Sequence, residues 1–113
     1  MVTPEQILDA ASILVREANP RQVLLFGSYA RGEARADSDV DLLVIESEVA
    51  DRRIEMARLR RALSPLRIPV DIVVATQDQV HSSWADFPGS YLYDAMREGR
   101  VLYDVAESGA APS

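Results

Sequence analysis

Two aspartates, Asp39 and Asp41, are the residues of this 113-residue chain with the clearest chemical meaning. They stand two apart at the start of residues 39–45, an apolar run that predicts a β-strand. Because side chains alternate between the faces of a strand, both carboxylates project to one side, with Cα atoms about 6.5–7 Å apart. Such carboxylates repel each other unless a cation lies between them, and Mg²⁺ is the usual cation because it prefers oxygen ligands. The alternative is a pair of exposed acids at the start of an ordinary strand.

Asp71 adds a third carboxylate to this hypothesis. It lies at the start of another short apolar run, residues 70–74. If the two strands are neighbours, Asp71 reaches the same site. Three carboxylates can hold two Mg²⁺ ions about 3.5–4 Å apart, which is the geometry of two-metal phosphoryl or nucleotidyl transfer. The alternative role of Asp71 is a solvated acid at the end of a strand.

Gly27 and Ser28 have the pattern of a phosphate-binding turn. They follow the apolar run 23–26, which predicts a strand, and they open a short helical turn. Backbone N–H groups and the positive end of a helix dipole attract phosphate, Gly27 permits a close approach of the backbone, and Ser28 adds a hydroxyl donor. The next glycine is Gly32, so the dinucleotide fingerprint is not met. An ordinary turn is the alternative interpretation.

Arg31 lies in the same turn and has two possible roles. Its guanidinium is placed to meet a phosphate. It is equally well placed to form a structural ion pair with Asp37 or Glu33. The sequence does not decide between these two roles.

Helices and strands of ordinary length are predicted around these residues. Thr3 and Gln6 have the pattern of a capping box, and Asn19-Pro20 ends the first helix. The remaining predictions are strands over 23–26, 39–45 and 70–74, helices over 49–64 and 77–98 (the latter interrupted), and a short strand over 101–103. Residues 1–105 are expected to form one α/β domain, a small mixed sheet with flanking helices, and residues 106–113 a disordered tail.

The composition excludes several kinds of chemistry. The chain lacks cysteine and lysine, so disulfides, thiol catalysis, a lysine P-loop and lysine Schiff bases are ruled out. A single histidine, His81, excludes multi-histidine metal sites and is expected at the surface or as a cap. The net charge of −6 argues against direct nucleic-acid binding. Neither a signal peptide nor an apolar run of roughly 18 residues is present, so we expect a cytoplasmic protein without membrane contact.

Two further clusters each allow a structural and a functional interpretation. Six arginines lie within residues 52–67. They form either a solvated helix face, with Asp51 and Glu55 as ion-pair partners, or a surface for an acidic partner or an RNA. Four aromatic residues either pack over the sheet or form a partner-binding patch. They are Trp84, Phe87, Tyr91 and Tyr93.

The spacing of these motifs resembles that of a known enzyme superfamily. Gly27-Ser28, ten intervening residues and Asp39-x-Asp41 are similar to the signature of nucleotidyltransferases with the DNA polymerase beta fold. Residues 27–32 and 38–42 resemble the minimal nucleotidyltransferase (MNT) subfamily. Many of its members are antitoxins encoded beside a HEPN-domain toxin. The resemblance covers residues 20–104, although Tyr29 stands where many relatives carry a basic residue.

This resemblance implies a role for each site residue. Asp39 and Asp41 would bind both metal ions, and Asp71 would bind the catalytic one and help to activate the acceptor hydroxyl. Gly27 and Ser28 would hold the phosphates of ATP. The acceptor hydroxyl would attack the α-phosphate and release pyrophosphate. In the toxin-linked relatives, the acceptor is a tyrosine of the HEPN partner.

The function expected from the sequence is therefore Mg²⁺-dependent transfer of AMP from ATP to a tyrosine of a cognate HEPN toxin, by an antitoxin. In 113 residues, little chain remains beyond a catalytic core, so we expect either a partner to supply the acceptor or homo-oligomerisation to complete the site. One alternative is a small-molecule nucleotidyltransferase of the antibiotic-modifying type. Another is a non-catalytic antitoxin that neutralises its partner by occlusion.

Overall fold

The structure, a computed structural model, describes residues 1–81 and 97–106. Helices and strands alternate along this part of the chain. In order, they are helix α1 (Pro4–Ala18), strand β1 (Gln22–Phe26), helix α2 (Gly27–Arg31), strand β2 (Val40–Glu46), helix α3 (Arg52–Leu63), a 3₁₀ turn (Ser64–Leu66), strand β3 (Val70–Thr76), helix α4 (Gln77–His81) and strand β4 (Arg100–Asp104).

The strands form one mixed sheet with the order β3-β2-β1-β4. Strand β1 runs antiparallel to both β2 and β4, whereas β2 and β3 are parallel. The predicted small mixed sheet with flanking helices is confirmed. The predicted neighbourhood of the second and third strands is confirmed as well, and their register pairs Asp41 with Asp71.

Helix α1 begins as its sequence predicts. The Gln6 backbone N–H donates to Thr3 Oγ1 at 3.2 Å, and Gln6 Oε1 accepts from the Thr3 N–H at 2.8 Å. This reciprocal pair satisfies two of the N–H groups that the first helical turn leaves without partners. At the other end, Asn19 adopts the left-handed conformation with φ 45° and closes the helix.

Helix α3 is shorter than the predicted span of 49–64. Asp51 caps it, because its carboxylate accepts from the N–H groups of Arg53 and Ile54 at 3.0 and 3.2 Å. Within residues 1–81 and 97–106, Asp51 therefore acts as a cap and not as the predicted ion-pair partner. Glu55 does form the predicted type of pair, with Arg58 at 2.9 Å.

Both faces of the sheet bury apolar side chains. One face packs with α1 and α3 and includes Val23, Leu25, Val40, Leu42, Val44, Ile72 and Val74. The opposite face holds a smaller cluster, Leu24, Phe26, Leu43, Ile45 and Ala75. Burial on both faces explains why β1 and β2 are nearly continuous apolar runs and do not alternate with polar residues.

Some predictions lie outside the described residues. The interrupted helix predicted over 77–98 is described as α4 up to His81, which is exposed, and again at residues 97–98. The four aromatic residues of the predicted cluster and the tail from residue 107 onward are not described. No helix within residues 1–81 and 97–106 is long and apolar enough to cross a membrane.

Candidate active site

Asp41 and Asp71 lie side by side on β2 and β3. They are register partners on parallel strands, so their side chains leave the same face of the sheet from backbones about 4.8 Å apart. Asp41 is partly buried and Asp71 is exposed. Asp39 lies one residue before β2 and is exposed, so the strand begins slightly later than predicted. The structure therefore brings together the carboxylates that the sequence placed on separate strands.

The three aspartates share one electrostatic environment. The pKa of Asp41 is raised, first by burial and then by the charges of Asp71 and Asp39, while Arg31 opposes this shift. An all-oxygen donor set carrying this repulsion fits a hard dication such as Mg²⁺. No three acidic or histidine side chains of the described residues are already gathered as a metal cage. The carboxylates would have to turn toward an ion in order to bind it.

Asp71 has a cationic neighbour that the sequence did not predict. Arg60 of α3 reaches the edge strand β3, and its Nη2 lies 3.6 Å from Asp71 Oδ1. Both side chains are more than half exposed, so this ion pair is weak and can exchange with a competing ion. Asp71 therefore remains available to other cations.

Gly27 is needed for a reason that the sequence did not predict. Its φ of +73° is left-handed, and a Cβ atom at this position would overlap Asp41 Oδ2 and lie 3.1 Å from Asp41 Cγ. The absence of a side chain at Gly27 thus lets the Asp41 carboxylate sit against the β1–α2 junction. Contact of this turn with phosphate remains a prediction, as does the role of Ser28, which is partly buried.

Arg31 forms ion pairs with two glutamates. Its Nε donates to Glu33 Oε1 at 2.7 Å, which is one of the predicted partners, and its Nη1 donates to Glu98 Oε2 at 3.2 Å. No ion pair with Asp37 occurs within the described residues. The pair with Glu98 was not predicted, because it joins positions 67 apart in the chain.

A cleft of about 300 Å³ opens between these residues. Four of the six predicted site residues line it: Gly27, Arg31, Asp41 and Asp71. Phe26, Val73 and Glu98 complete the lining. Tyr29 faces elsewhere, since its hydroxyl accepts from the Val2 N–H at 3.1 Å and it lines a groove beside α1. The cleft thus combines carboxylates, one arginine and a tight backbone turn, which are the groups needed to bind a nucleotide with its metal ions.

Comparison with known proteins identifies the family. The family model of the nucleotidyltransferase domain matches residues 6–102 of this chain. The chain belongs to this family. It is 44% identical to protein adenylyltransferase MntA of Thermococcus cleftensis over 73 residues. This match covers 62% of this chain and 72% of MntA. It is also 37% identical over 87 residues to a bifunctional uridylyltransferase/uridylyl-removing enzyme of Xanthomonas campestris pv. campestris, covering 75% of this chain and 10% of that enzyme.

Solved structures share the fold of this nucleotidyltransferase. A crystal structure of a toxin–antitoxin with AMP-PNP superposes with a TM-score of 0.60 at 23% identity, covering 86% of this chain and 73% of that one. An MNT antitoxin complex with tri-AMPylated Shewanella oneidensis HEPN toxin gives a TM-score of 0.53 at 22% identity, with coverage of 89% and 74%. These structures confirm the nucleotidyltransferase fold that the resemblance implies.

Proposed function

We propose that this nucleotidyltransferase is an antitoxin that transfers AMP from ATP to a tyrosine hydroxyl of a cognate HEPN-domain toxin. The observation that carries the proposal is the pairing of Asp41 with Asp71 in one cleft, against the turn at Gly27. The similarity to MntA, a protein adenylyltransferase, supports protein as the acceptor class. The complexes with AMP-PNP and with an AMPylated HEPN toxin, although they share only the fold, are consistent with the nucleotide and the partner.

The side chains of the cleft have complementary tasks in this reaction. Asp39, Asp41 and Asp71 would hold Mg²⁺, which when bound neutralises phosphate charge and favours ionisation of the acceptor hydroxyl. Asp71 is exposed at the edge of the sheet, where an acceptor from another protein can reach it, and it takes the hydroxyl proton. The bond from the acceptor oxygen to the α-phosphorus forms, the bond to the bridging oxygen breaks, and pyrophosphate leaves.

The phosphates need their own binding groups. In the proposed complex, the Gly27 N–H and the Ser28 hydroxyl donate to phosphate oxygens at the start of α2, as the family motif implies. Arg31 supplies the positive charge among the described residues that line the cleft. These groups hold the triphosphate so that its α-phosphorus faces the acceptor.

Intact-mass spectrometry of the toxin tests the proposal. Co-expression with a cognate HEPN-domain toxin should add about 329 Da per AMP to the toxin, through the chemistry of two-metal transfer. Asp41→Asn should abolish the adduct and the protection from toxicity. It should leave the melting temperature unchanged or slightly higher, because it removes a carboxylate whose ionised form is disfavoured by the fold. Asp37→Asn removes an equal charge from an exposed residue outside the cleft and should retain activity.

The other functional hypotheses predict different results. Protection of the cell without any adduct on the toxin would support neutralisation by occlusion. An adduct on a small molecule and none on the toxin would support the antibiotic-modifying type. Peptide mapping of the modified toxin would locate the AMP, and its attachment to a residue other than tyrosine would contradict the proposed acceptor.

A further inference from the structure

Arg31 is held at two points by carboxylates from different parts of the chain. Glu33 lies two residues after the end of α2, and its Oε1 accepts from Arg31 Nε at 2.7 Å. Glu98 lies two residues before β4, and its Oε2 accepts from Arg31 Nη1 at 3.2 Å. A guanidinium is planar, so two bonds through different nitrogens fix both its position and the orientation of its plane.

The two glutamates lie differently with respect to the cleft. Glu98 lines it together with Arg31, Asp41 and Asp71, whereas Glu33 does not. Within residues 1–81 and 97–106, Arg31 Nη2 has no hydrogen-bond partner, so its two N–H groups are among the donors left for a ligand. The arrangement leaves Nη2 able to donate to an anion.

We propose that Glu98 is a positioning residue for nucleotide binding, which fixes the Arg31 guanidinium so that Nη2 donates to the phosphates of ATP. The inference rests on the proposed function. An arginine side chain loses much conformational freedom when it is fixed, and Glu98 imposes that loss before the nucleotide arrives. The cleft thereby gains an oriented cation, but Glu98 also adds a further negative charge to those of Asp41 and Asp71.

Glu98 could also have the opposite effect and weaken nucleotide binding, so the experiment can distinguish the two effects. The cleft already contains Asp41 and Asp71, so a third carboxylate repels a triphosphate. If repulsion dominated, removal of the Glu98 charge would tighten nucleotide binding. If positioning dominates, the same change weakens binding. The sign of the change in Kd therefore decides between them.

Calorimetric titration of the full chain with AMP-PNP and Mg²⁺ measures this sign. Glu98→Gln should raise the Kd by about fivefold to twentyfold, the effect of weakening one charge-assisted contact. Glu98→Asp keeps the charge but shortens the side chain, and it should also raise the Kd. Glu48→Gln is the matched control, because it removes the same charge from an exposed residue two positions beyond the end of β2, and its Kd should stay within twofold.

A double-mutant cycle separates positioning from a general effect on the fold. In the Arg31→Ala background, Glu98→Gln should no longer weaken binding, because Glu98 acts through Arg31. A lower or unchanged Kd in Glu98→Gln, or the same weakening in both backgrounds, would overturn the inference while leaving the proposed function intact. Failure of the wild-type protein to bind AMP-PNP would overturn both.

Discussion

Among single residues, Gly27 shows most directly how the backbone and the side chains of the candidate site depend on each other. Its left-handed φ and the absence of a Cβ atom allow the Asp41 carboxylate to lie against it. The glycine thus does more than form a turn, because its lack of a side chain determines how closely the Asp41 carboxylate can approach the β1–α2 junction. Gly32 provides a comparison, since its φ is +72° and a Cβ atom there would meet nothing within 4 Å.

Alanine at these two glycines should therefore have different consequences. Gly32→Ala should cost about 1–2 kcal/mol of stability, the strain of a left-handed alanine, and should keep nucleotidyl transfer. Gly27→Ala should cost more and should lose transfer, because its Cβ displaces Asp41. Urea denaturation and the toxin adduct assay measure the two effects. Equal behaviour of the two variants would show that the contact with Asp41 is unimportant.

At the scale of elements, strand β2 carries an unusual acid at each end. Asp41 lies near its start in the cleft, and Glu46 lies at its end, where it is buried with Oε2 lacking a partner among the described residues. Burial, and then the neighbouring Glu55 carboxylate of α3, raises the pKa of Glu46 to about 8, an effect that Arg58 opposes. The packing of β2 against α3 is therefore expected to be more stable when the Glu46 carboxyl is protonated.

This proton should make stability depend on pH. The pKa of Glu46 is higher in the folded chain than its ordinary value of 4.5, so the folded state binds more protons between these values. Stability should be greatest below that range and should fall as pH rises through about 8. Thermal melts should show a Tm about 5 °C lower at pH 8.5 than at pH 5.5.

Two variants test whether Glu46 is the group responsible. Glu46→Gln keeps the shape without the charge, so it should flatten this part of the pH dependence and raise the Tm at pH 8.5. The exposed Glu48→Gln should leave the pH dependence as in the wild type. A pH dependence that persists in Glu46→Gln would contradict the assignment. Glu55, whose pKa is lowered chiefly by Arg58, adds stability that is lost only as pH falls below its ordinary range.

At the scale of the whole molecule, the site is assembled from segments that are distant in the chain. The β1–α2 turn, the starts of β2 and β3, and the residue Glu98 before β4 meet in one cleft. The carboxylates of this cleft repel one another, and they are not gathered as a metal cage within the described residues. Metal affinity should therefore depend on a ligand that brings further oxygen atoms.

Metal binding should accordingly be coupled to nucleotide binding. Calorimetry should show that Mg²⁺ or Mn²⁺ binds at least tenfold more tightly with AMP-PNP present than without it, because the phosphate oxygens complete the coordination shell. Asp41→Asn should reduce this coupling. Tight metal binding of equal strength with and without nucleotide would contradict the proposed two-metal site.

What could be predicted from the sequence depended on how far apart the interacting residues are. The Thr3–Gln6 capping box and the strand preceding Gly27 are local features, and both are confirmed. The proximity of Asp41 and Asp71 was predicted on the condition that their strands are neighbours, and the structure pairs these strands. The pairs that Arg31 and Arg60 make with distant acids could not be predicted, because tertiary contacts between exposed charges leave no local pattern.

The parallel register of β2 and β3 has a consequence for residues that never touch a nucleotide. Asp71 faces the cleft, and its neighbour Ile72 is fully buried on the opposite face of the sheet, as is Val74. A slip of one residue would turn Asp71 into the apolar core and Ile72 out into the cleft. The cost of burying a carboxylate and exposing isoleucine forbids that slip. Ile72 and Val74 thus fix the register of β3, so burial on one face of the strand keeps the Asp71 carboxylate on the face that lines the cleft.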